Sequence, residues 1–301
     1  MDSRLPRFKR TTTVARMALT ERDRQIIRLV HRHRFLRSPQ IVALIGGSSQ
    51  QLLRRLQLLY HHGYLERPRA QIDYYHQGGS RHIIYGLGNK GGGMLLKQEL
   101  GVAFREFSWG EKNRAVGRMF LEHALLVSDV MVTIELACRE RGIRLVTERE
   151  LVLPGKHQPF RWRVNIHNHV KLGVIPDRVF ALELLDASGS SRRAYFFLEA
   201  DRGTMPVTRR NLSQTSFYRK LLAYEATWTQ NLHRIRFGFH RFRVLTVTTS
   251  TARVKSLVDA CSQLERGHGL FLFADRTILS GDMFSSIWQT GKPGETGSLL
   301  D

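Results

Sequence analysis

The chain has 301 residues, of which 47 are lysine or arginine and 26 are aspartate or glutamate, giving a net charge of +21 at neutral pH. This length is sufficient for two domains. No apolar segment approaches the roughly 20 residues of a membrane-crossing helix, and the N-terminus lacks the apolar core of a signal peptide. Two cysteines form no disulfide framework, and the thirteen histidines show no convincing metal-ligand spacing. We therefore expect a cytoplasmic protein with no zinc site.

The basic excess is concentrated in the first third of the chain. Up to Arg105 there are 19 basic and six acidic residues, against 28 and 20 in the remainder. Arginine greatly outnumbers lysine, and its planar guanidinium suits phosphate and guanine contacts. This charge favours nucleic acid as the partner, ahead of an anionic membrane surface.

A basic, flexible lead is predicted over residues 1–18, followed by a first domain over residues 19–100. Thr20 and Ser38-Pro39 are start signals for two helices, and Ser48 or Ser49 caps a third that ends at Gly63. Two short strands then flank a Gly-rich turn, which is typical of a hairpin. Three helices followed by a hairpin predict a winged helix-turn-helix.

In a winged helix the third helix enters the major groove of DNA, and the hairpin, or wing, lies along the backbone or minor groove. The alternative is a winged helix that contacts another protein, but the basic residues on the expected DNA face favour DNA. The predicted contacts are Ser48, Gln51, Arg54 and Arg55 on the third helix, and Arg69, Arg81 and His82 on the wing.

A linker over residues 101–115, a second domain over 116–289 and a disordered tail over 290–301 complete the predicted organisation. The second domain begins with a long helix that ends near Arg141. A strand over Ile143–Leu153, a hairpin, and alternating helices and strands follow it. This order predicts a mixed sheet flanked by helices, which is an α/β fold.

The hairpin between Val174 and Thr204 carries three notable carboxylates. Asp177 begins its first strand, and Glu199 and Asp201 lie two apart at the end of its second strand. Side chains two apart on a strand share a face, so these acids should converge. A hard cation such as Mg²⁺ would neutralise them. The alternative is that the acids face solvent and pair with arginines; the neighbouring candidates are Arg178, Arg192, Arg193 and Arg202.

The pattern Pro176-Asp177 followed by Glu199-Ala200-Asp201 resembles the PD-(D/E)XK (restriction-endonuclease-like) superfamily, with aspartate in place of the motif's final lysine. The resemblance implies Mg²⁺ or Mn²⁺ held by Asp177, Glu199 and Asp201. It also implies that Lys220, in the following helix, takes the role of the missing lysine; the alternative is a lysine whose amine lies in water. Glu122 in the long helix is the candidate that completes the metal shell, with Glu148 and Glu150 as rivals.

Taken in order, the winged helix and the segments E-H-A-L-L-V-S-D-V, P-D-R-V-F, F-L-E-A-D-R-G-T and Y-R-K-L-L-A-Y resemble the replication-relaxation family over residues 20–280. The resemblance implies a DNA-binding protein of a plasmid or integrative mobile element, acting in replication or mobilisation, with a metal-dependent nuclease-like domain. It leaves open whether that domain cleaves DNA.

Two other functions remain open. One is a non-catalytic transcriptional regulator or relaxosome accessory factor that forms a homodimer or recruits a relaxase or replication proteins. The other is an RNA-binding or RNA-cleaving protein. Double-stranded DNA is the expected partner, and no membrane is expected.

Overall fold

The computed structural model describes residues 6–11, 16–72, 82–99, 108–152, 160–166, 170–185 and 191–300, with only the backbone of residues 96–99. The chain divides into two compact units, Met1–Val132 and Thr133–Asp301. No helix among the described residues is long and apolar enough to cross a membrane.

The N-terminal unit begins with three helices; the first and third start after the predicted capping residues, and the second starts at Ser38, one residue earlier than predicted, with Arg37 as its N-cap. They are α1 (Glu21–His33), α2 (Ser38–Ile45) and α3 (Ser49–His61), and a short strand β1 (Phe35–Arg37) lies between α1 and α2. Ser48 caps α3, because its Oγ accepts a hydrogen bond from the Gln51 amide at 3.4 Å. Apolar side chains of all three helices form the buried side, including Ile26, Ile41 and Leu52.

A three-stranded antiparallel sheet completes this part of the unit. Strand β3 (Ile84–Leu87) lies between β1 and β2 (Leu65–Glu66). The buried Gln71 side chain fixes the start of β3. Its Nε2 donates to the Ile84 carbonyl at 3.0 Å, and its Oε1 accepts from the Ile84 amide at 2.8 Å. The predicted turn between these strands, with Arg81, lies outside the described residues.

The predicted linker requires a correction. After α4 (Asn89–Glu99), residues 109–114 form a helix, α5 (Trp109–Arg114). Asn113 in α5 is buried and donates to the Leu87 carbonyl at 2.8 Å, so α5 is fixed to β3. The sequence of α5 gives no helical signal, because the contact that anchors it comes from the polar side chain of Asn113 and not from an apolar face.

Part of the basic lead is also held to the unit. Arg10 donates to the Tyr60 carbonyl at 2.9 Å and to Glu66 Oε2 at 2.8 Å. Arg114 pairs with the same Glu66 oxygen at 2.9 Å. Because Glu66 is buried, it requires a cationic partner, and this requirement orders a segment that the sequence predicts to be flexible.

Helix α6 (Arg118–Arg141) follows, and the sheet of the C-terminal unit begins at β4 (Arg144–Thr147). Residues 148–151 form a helical turn, α7 (Glu148–Leu151), where the sequence predicts a continuous strand to Leu153. The reason is a capping box. The Glu150 carboxylate accepts hydrogen bonds from the Thr147 amide at 2.9 Å and from its hydroxyl at 2.8 Å.

A seven-stranded mixed sheet forms the centre of the C-terminal unit. The order of its strands is β12-β11-β10-β9-β8-β7-β4, with β8, β9 and β10 parallel and the other pairs antiparallel. Their bounds are β7 (Arg178–Leu185), β8 (Ser191–Ala200), β9 (Phe242–Thr248), β10 (Phe271–Asp275), β11 (Trp288–Thr290) and β12 (Thr296–Gly297).

Helices and a small hairpin pack beside this sheet. The hairpin comprises β5 (Trp162–Asn165) and β6 (Lys171–Val174), and the helices are α8 (Phe217–Thr229), α9 (Leu232–Phe237) and α10 (Thr251–Cys261). An aromatic core joins them; Phe197, Tyr224 and Phe242 lie within it with ring centroids 5.1 to 6.5 Å apart.

The prediction of a disordered tail over residues 290–301 also requires a correction. Its described residues include β12, which pairs with β11, and Leu299 is buried. Ser298 and Leu300 also accept hydrogen bonds from arginines of the sheet through their carbonyls. Backbone pairing holds this segment in place. Because the segment is rich in glycine and polar residues, its sequence shows no apolar pattern from which a strand could be predicted.

An interaction at the start of α1 couples α1 to α3. Buried Asp23 completes a capping box with Thr20 and forms an ion pair with Arg55 of α3. Burial by itself would raise the pKa of Asp23, but the hydrogen bonds from Arg55 and Thr20 outweigh it and lower the pKa. The carboxylate therefore stays charged and stabilises the fold above the pKa of the unfolded chain.

We predict that Asp23→Ala lowers the free energy of unfolding of the N-terminal unit by about 3 kcal/mol, because it leaves Arg55 without its carboxylate and removes a cap. Urea unfolding at neutral pH measures the loss. The difference from the wild type should shrink as the pH falls below the ordinary value of 3.8, since the wild-type carboxylate then becomes protonated. Glu21→Ala, at an exposed acid of the same helical turn, is the control; an equal loss in both variants would contradict the assignment.

Candidate functional site

Asp177 is held where β7 begins, beside the end of β8. Its amide donates to the Leu198 carbonyl at 2.9 Å, and its Oδ2 accepts from the Ala200 amide at 2.8 Å. In the antiparallel register Arg178 pairs with Leu198, so Asp177 stands opposite Glu199. Opposite residues of an antiparallel pair share a face of the sheet. The structure thus brings together these two predicted carboxylates.

Glu199 is a buried carboxylate with two donors from one helix. Lys220 Nζ lies 2.5 Å from its Oε2, and the Tyr224 hydroxyl donates to its Oε1 at 2.6 Å. Only 2 % of the Glu199 side chain is exposed. Lys220 and Tyr224 are four residues apart on α8, so they lie on the same helical face. The sequence predicts a role for Lys220 at this site but gives no indication of Tyr224.

Burial dominates the electrostatics of this cluster. It raises the pKa of Glu199, and the neighbouring Asp177 charge raises it further, against the opposing effect of Lys220. For Lys220, burial would lower the pKa, but the charges of Glu199 and Asp177 outweigh it and raise the pKa. Burial and then the Glu199 charge raise the pKa of Tyr224 well above its ordinary value. Lys220 is therefore an ammonium and Tyr224 a protonated phenol at neutral pH, and both are donors.

Asp201 has a different set of partners. Arg253 Nε donates to its Oδ2 at 2.8 Å, and Arg253 Nη2 reaches its Oδ1 at 3.3 Å. The Thr248 hydroxyl and the Gly203 amide donate to the same carboxylate at 2.7 and 3.1 Å. Asp201 follows the last residue of β8, and its carboxylate is neutralised by an arginine 52 residues away. Glu199 and Asp201 therefore each have a separate cation, and their convergence on one metal stays a prediction.

The donor set can be compared with the metal that the nuclease resemblance implies. Among the described residues, no group of three or more His, Cys, Asp or Glu side chains is arranged to hold a metal ion. Mg²⁺ requires only one or two carboxylates, with water and phosphate oxygens as its other ligands. Asp177 and Glu199 fit that requirement as neighbouring carboxylates. The Asp201 carboxylate binds Arg253 through both of its oxygens, and its role as a metal ligand stays a prediction.

The candidates for a further acid of the shell differ in their surroundings. Glu122 belongs to the N-terminal unit and forms an ion pair with Arg118 at 2.8 Å. Glu150 caps α7 and pairs with Arg144 at 2.7 Å. Burial raises the pKa of Glu148, against the lowering effects of the Arg178 charge and the Val179 backbone. Glu148 is therefore the rival that lies beside the start of β7, and a role for any of them stays a prediction.

The predicted DNA contacts of α3 fall into two classes. Ser48, Gln51 and Arg54 are exposed and recur at three-residue spacing, which places them on one side of the first helical turns. Arg55 instead donates to buried Asp23, and this hydrogen bond raises its pKa. On the hairpin side, Arg69 and His82 are exposed, and Arg81 lies outside the described residues.

We predict that Lys220→Met destabilises the C-terminal unit by about 3 kcal/mol at pH 8, because it leaves the buried Glu199 carboxylate without its cation. The loss should be much smaller in a Glu199→Gln background, and smaller at acid pH, since a buried carboxyl with a raised pKa binds a proton more readily in the folded state. Urea unfolding of the four proteins gives this double-mutant cycle. Lys255→Met, at an exposed helical lysine, is the control, and equal losses in both backgrounds would exclude the coupling.

The family model described as Replication-relaxation matches residues 27–238 of the chain. The matched segment includes α3 of the N-terminal unit and the residues Asp177, Glu199 and Lys220 of the C-terminal unit. No curated protein and no solved structure matches the chain. Because the family model covers more than half of its length, the chain belongs to the replication-relaxation family.

Proposed function

We propose that this protein binds double-stranded DNA and acts in the replication or mobilisation of a plasmid or integrative mobile element. Membership of the replication-relaxation family supports the role in replication. The observation that carries the DNA-binding part is the exposed side of α3, where Ser48, Gln51 and Arg54 lie together on a strongly basic unit. Gln is a donor–acceptor suited to adenine, and Arg is suited to guanine and phosphate.

The order of elements supports a winged helix as the DNA-binding fold. Helix α1, strand β1, helices α2 and α3, and then strands β2 and β3 follow one another, with the strands in one antiparallel sheet. In this proposal α3 is the recognition helix, and the hairpin of β2 and β3 is the wing. Arg69 and His82, both exposed, are the wing residues that would contact the sugar–phosphate backbone.

The two adjacent arginines of α3 have different roles in this proposal. Arg54 is exposed and is the DNA contact, whereas Arg55 orients the helix through its ion pair with Asp23. Loss of Arg55 would thus weaken binding through the position of α3 rather than through a lost phosphate contact. Replacing each arginine separately distinguishes a direct contact with DNA, expected for Arg54, from an effect on the position of α3, expected for Arg55.

We predict that Arg54→Ala weakens duplex binding and reduces the slope of log K against log salt by about 1, with no change in the free energy of unfolding, because one phosphate contact is lost. Fluorescence anisotropy on a labelled duplex of the element's own DNA, at several salt concentrations, measures both quantities. Arg55→Ala is the matched variant, and it should lower the free energy of unfolding. Arg276→Ala, at an exposed arginine of the C-terminal unit, is the neutral control. Unchanged affinity and slope in Arg54→Ala would remove α3 from the DNA interface.

For the C-terminal unit we propose a PD-(D/E)XK-like nuclease domain. The antiparallel strands β4, β7 and β8, followed by a helix and the parallel strand β9, support this assignment. Asp177 and Glu199 would hold Mg²⁺ or Mn²⁺, which when bound activates water and neutralises charge on the scissile phosphate. Tyr224 and Lys220 orient Glu199 and oppose the effect of burial on its pKa, and the Lys220 ammonium would stabilise phosphate charge.

A second candidate is a non-catalytic accessory or regulatory factor on the same fold. It is favoured by the state of the carboxylates: both oxygens of Glu199 already accept hydrogen bonds, and Asp201 stands where the motif has lysine. In this alternative the Lys220–Glu199 pair only stabilises the unit. The C-terminal unit would then dimerise or recruit a relaxase or replication proteins.

Cleavage of supercoiled plasmid distinguishes the two candidates. With Mg²⁺ or Mn²⁺ we expect the wild type to nick a plasmid that carries the element's replication origin, and Asp177→Asn or Glu199→Gln to abolish nicking, because each removes a carboxylate that would hold the metal. Glu183→Gln, at a paired acid on β7, is the control and should nick normally. If none of the proteins nicks while all bind the origin duplex equally, the accessory factor is the better assignment.

A further inference from the structure

The C-terminal unit contains a basic groove that Asp177, Glu199 and Lys220 do not line. Its volume is about 810 Å³, and its walls come from the start of β8, the end of α8 and the segment that joins α9 to β9. We name it the arginine groove. Its defining residues are Arg192, Arg193, Arg234, Arg241, Arg243 and Trp228.

The groove carries a positive charge that acids among the described residues neutralise only at Arg193. None of its lining residues is Asp or Glu, and His240 adds a further nitrogen donor. Glu183 neutralises Arg193 at 2.7 Å. Arg192 and Arg234, by contrast, donate only to carbonyl oxygens at 3.3 Å, and Arg241 has no hydrogen bond or ion pair with any described residue. Three exposed guanidinium groups thus have no carboxylate partner within the part of the chain that the structure describes, and this arrangement is suited to a polyanion.

Aromatic side chains lie beside these arginines. Trp228 is 38 % exposed at the end of α8, although most large aromatic side chains of this unit are buried. Tyr195, also on the wall, stacks on Phe239 with ring centroids 4.1 Å apart, which fixes its orientation. Exposed arginines around an exposed indole are the arrangement that single-stranded nucleic acid uses, with phosphates on the cations and bases on the aromatic faces.

A single strand fits these features better than a duplex. In a duplex each base already stacks on its neighbours, so only an unpaired base can place its face on Trp228. A concave groove also encloses a flexible strand, whereas a duplex presents a rigid convex surface.

We propose that the arginine groove binds single-stranded DNA, with phosphates at Arg192, Arg234 and Arg241 and a base stacked on Trp228. The choice of DNA over RNA rests on the proposed function in mobile-element DNA. The inference that the bound strand is single does not depend on that function, because it rests on the groove and its exposed indole. The protein then has two DNA surfaces of different kinds, one on α3 for duplex and one in the C-terminal unit for an unpaired strand. This combination suits DNA that is locally melted when replication or mobilisation begins.

Fluorescence anisotropy of full-length protein with a labelled 12-nucleotide oligodeoxythymidylate tests the proposal. Trp228→Ala should weaken binding at least about 5-fold, because a base loses its stacking partner. Arg241→Ala and Arg234→Ala should each reduce the slope of log K against log salt by about 0.7. Arg276→Ala, at an exposed arginine of the same unit outside the groove, should bind as the wild type does. Trp228→Phe keeps an aromatic face and should retain most of the affinity, which separates stacking from misfolding.

The same experiment separates this proposal from the duplex-binding one. Arg54→Ala should bind the oligonucleotide normally while losing affinity for duplex, and Trp228→Ala should do the reverse. The groove assignment is overturned if the oligonucleotide does not bind, or if the groove variants bind it as tightly as Arg276→Ala. Tighter binding of the matching oligouridylate would overturn the assignment to DNA and indicate an RNA site instead.

Discussion

Burial of the Glu199 carboxylate is a physical constraint on the C-terminal unit. A buried charge is costly unless a cation and hydrogen-bond donors compensate it. Here Lys220 and Tyr224 supply both, and because they lie on one face of α8 they also fix that helix against β8. Tyr224 packs in the aromatic core with Phe197, so the polar site and the apolar core share a residue. The cost of burying Glu199 thus determines where α8 must lie.

The neighbouring acid follows the same rule with a different cation. Asp201 stands where the nuclease motif has a lysine, so the charge at that position is inverted relative to the motif. Arg253 neutralises the Asp201 carboxylate by donating to both of its oxygens. Arg253 also donates to the Met205 carbonyl at 2.6 Å. The ammonium that contacts Glu199 is that of Lys220, in the helix that follows the strand. The site therefore retains a cation beside Glu199 even though its sequence pattern departs from the motif.

These contacts mark how far the sequence could predict the structure. The starts of α1 and α3 follow from capping residues, and the structure has them as predicted. The resemblance to the nuclease motif groups Asp177 with Glu199, and the antiparallel register of β7 and β8 sets them opposite each other. Arg253 could not be assigned to Asp201, since it is 52 residues away and no local pattern records that contact. The segments 109–114 and 296–297 were misjudged because hydrogen bonds to backbone, rather than an apolar pattern, order them.

The same distinction applies to the large positive charge. A net charge of +21 indicates a polyanionic partner but does not say which arginines meet it. Arg55 and Arg253 each neutralise a buried aspartate, and Arg10 and Arg114 share the buried Glu66, so these four are part of the fold. The arginines that pair with no described acid are the ones free to recognise phosphate; among them are Arg54, Arg192, Arg234 and Arg241. Arginines that neutralise buried acids therefore stabilise the fold, and the other arginines are available to bind a partner. The two groups can be told apart only in the folded chain, because the sequence does not show which acids are buried.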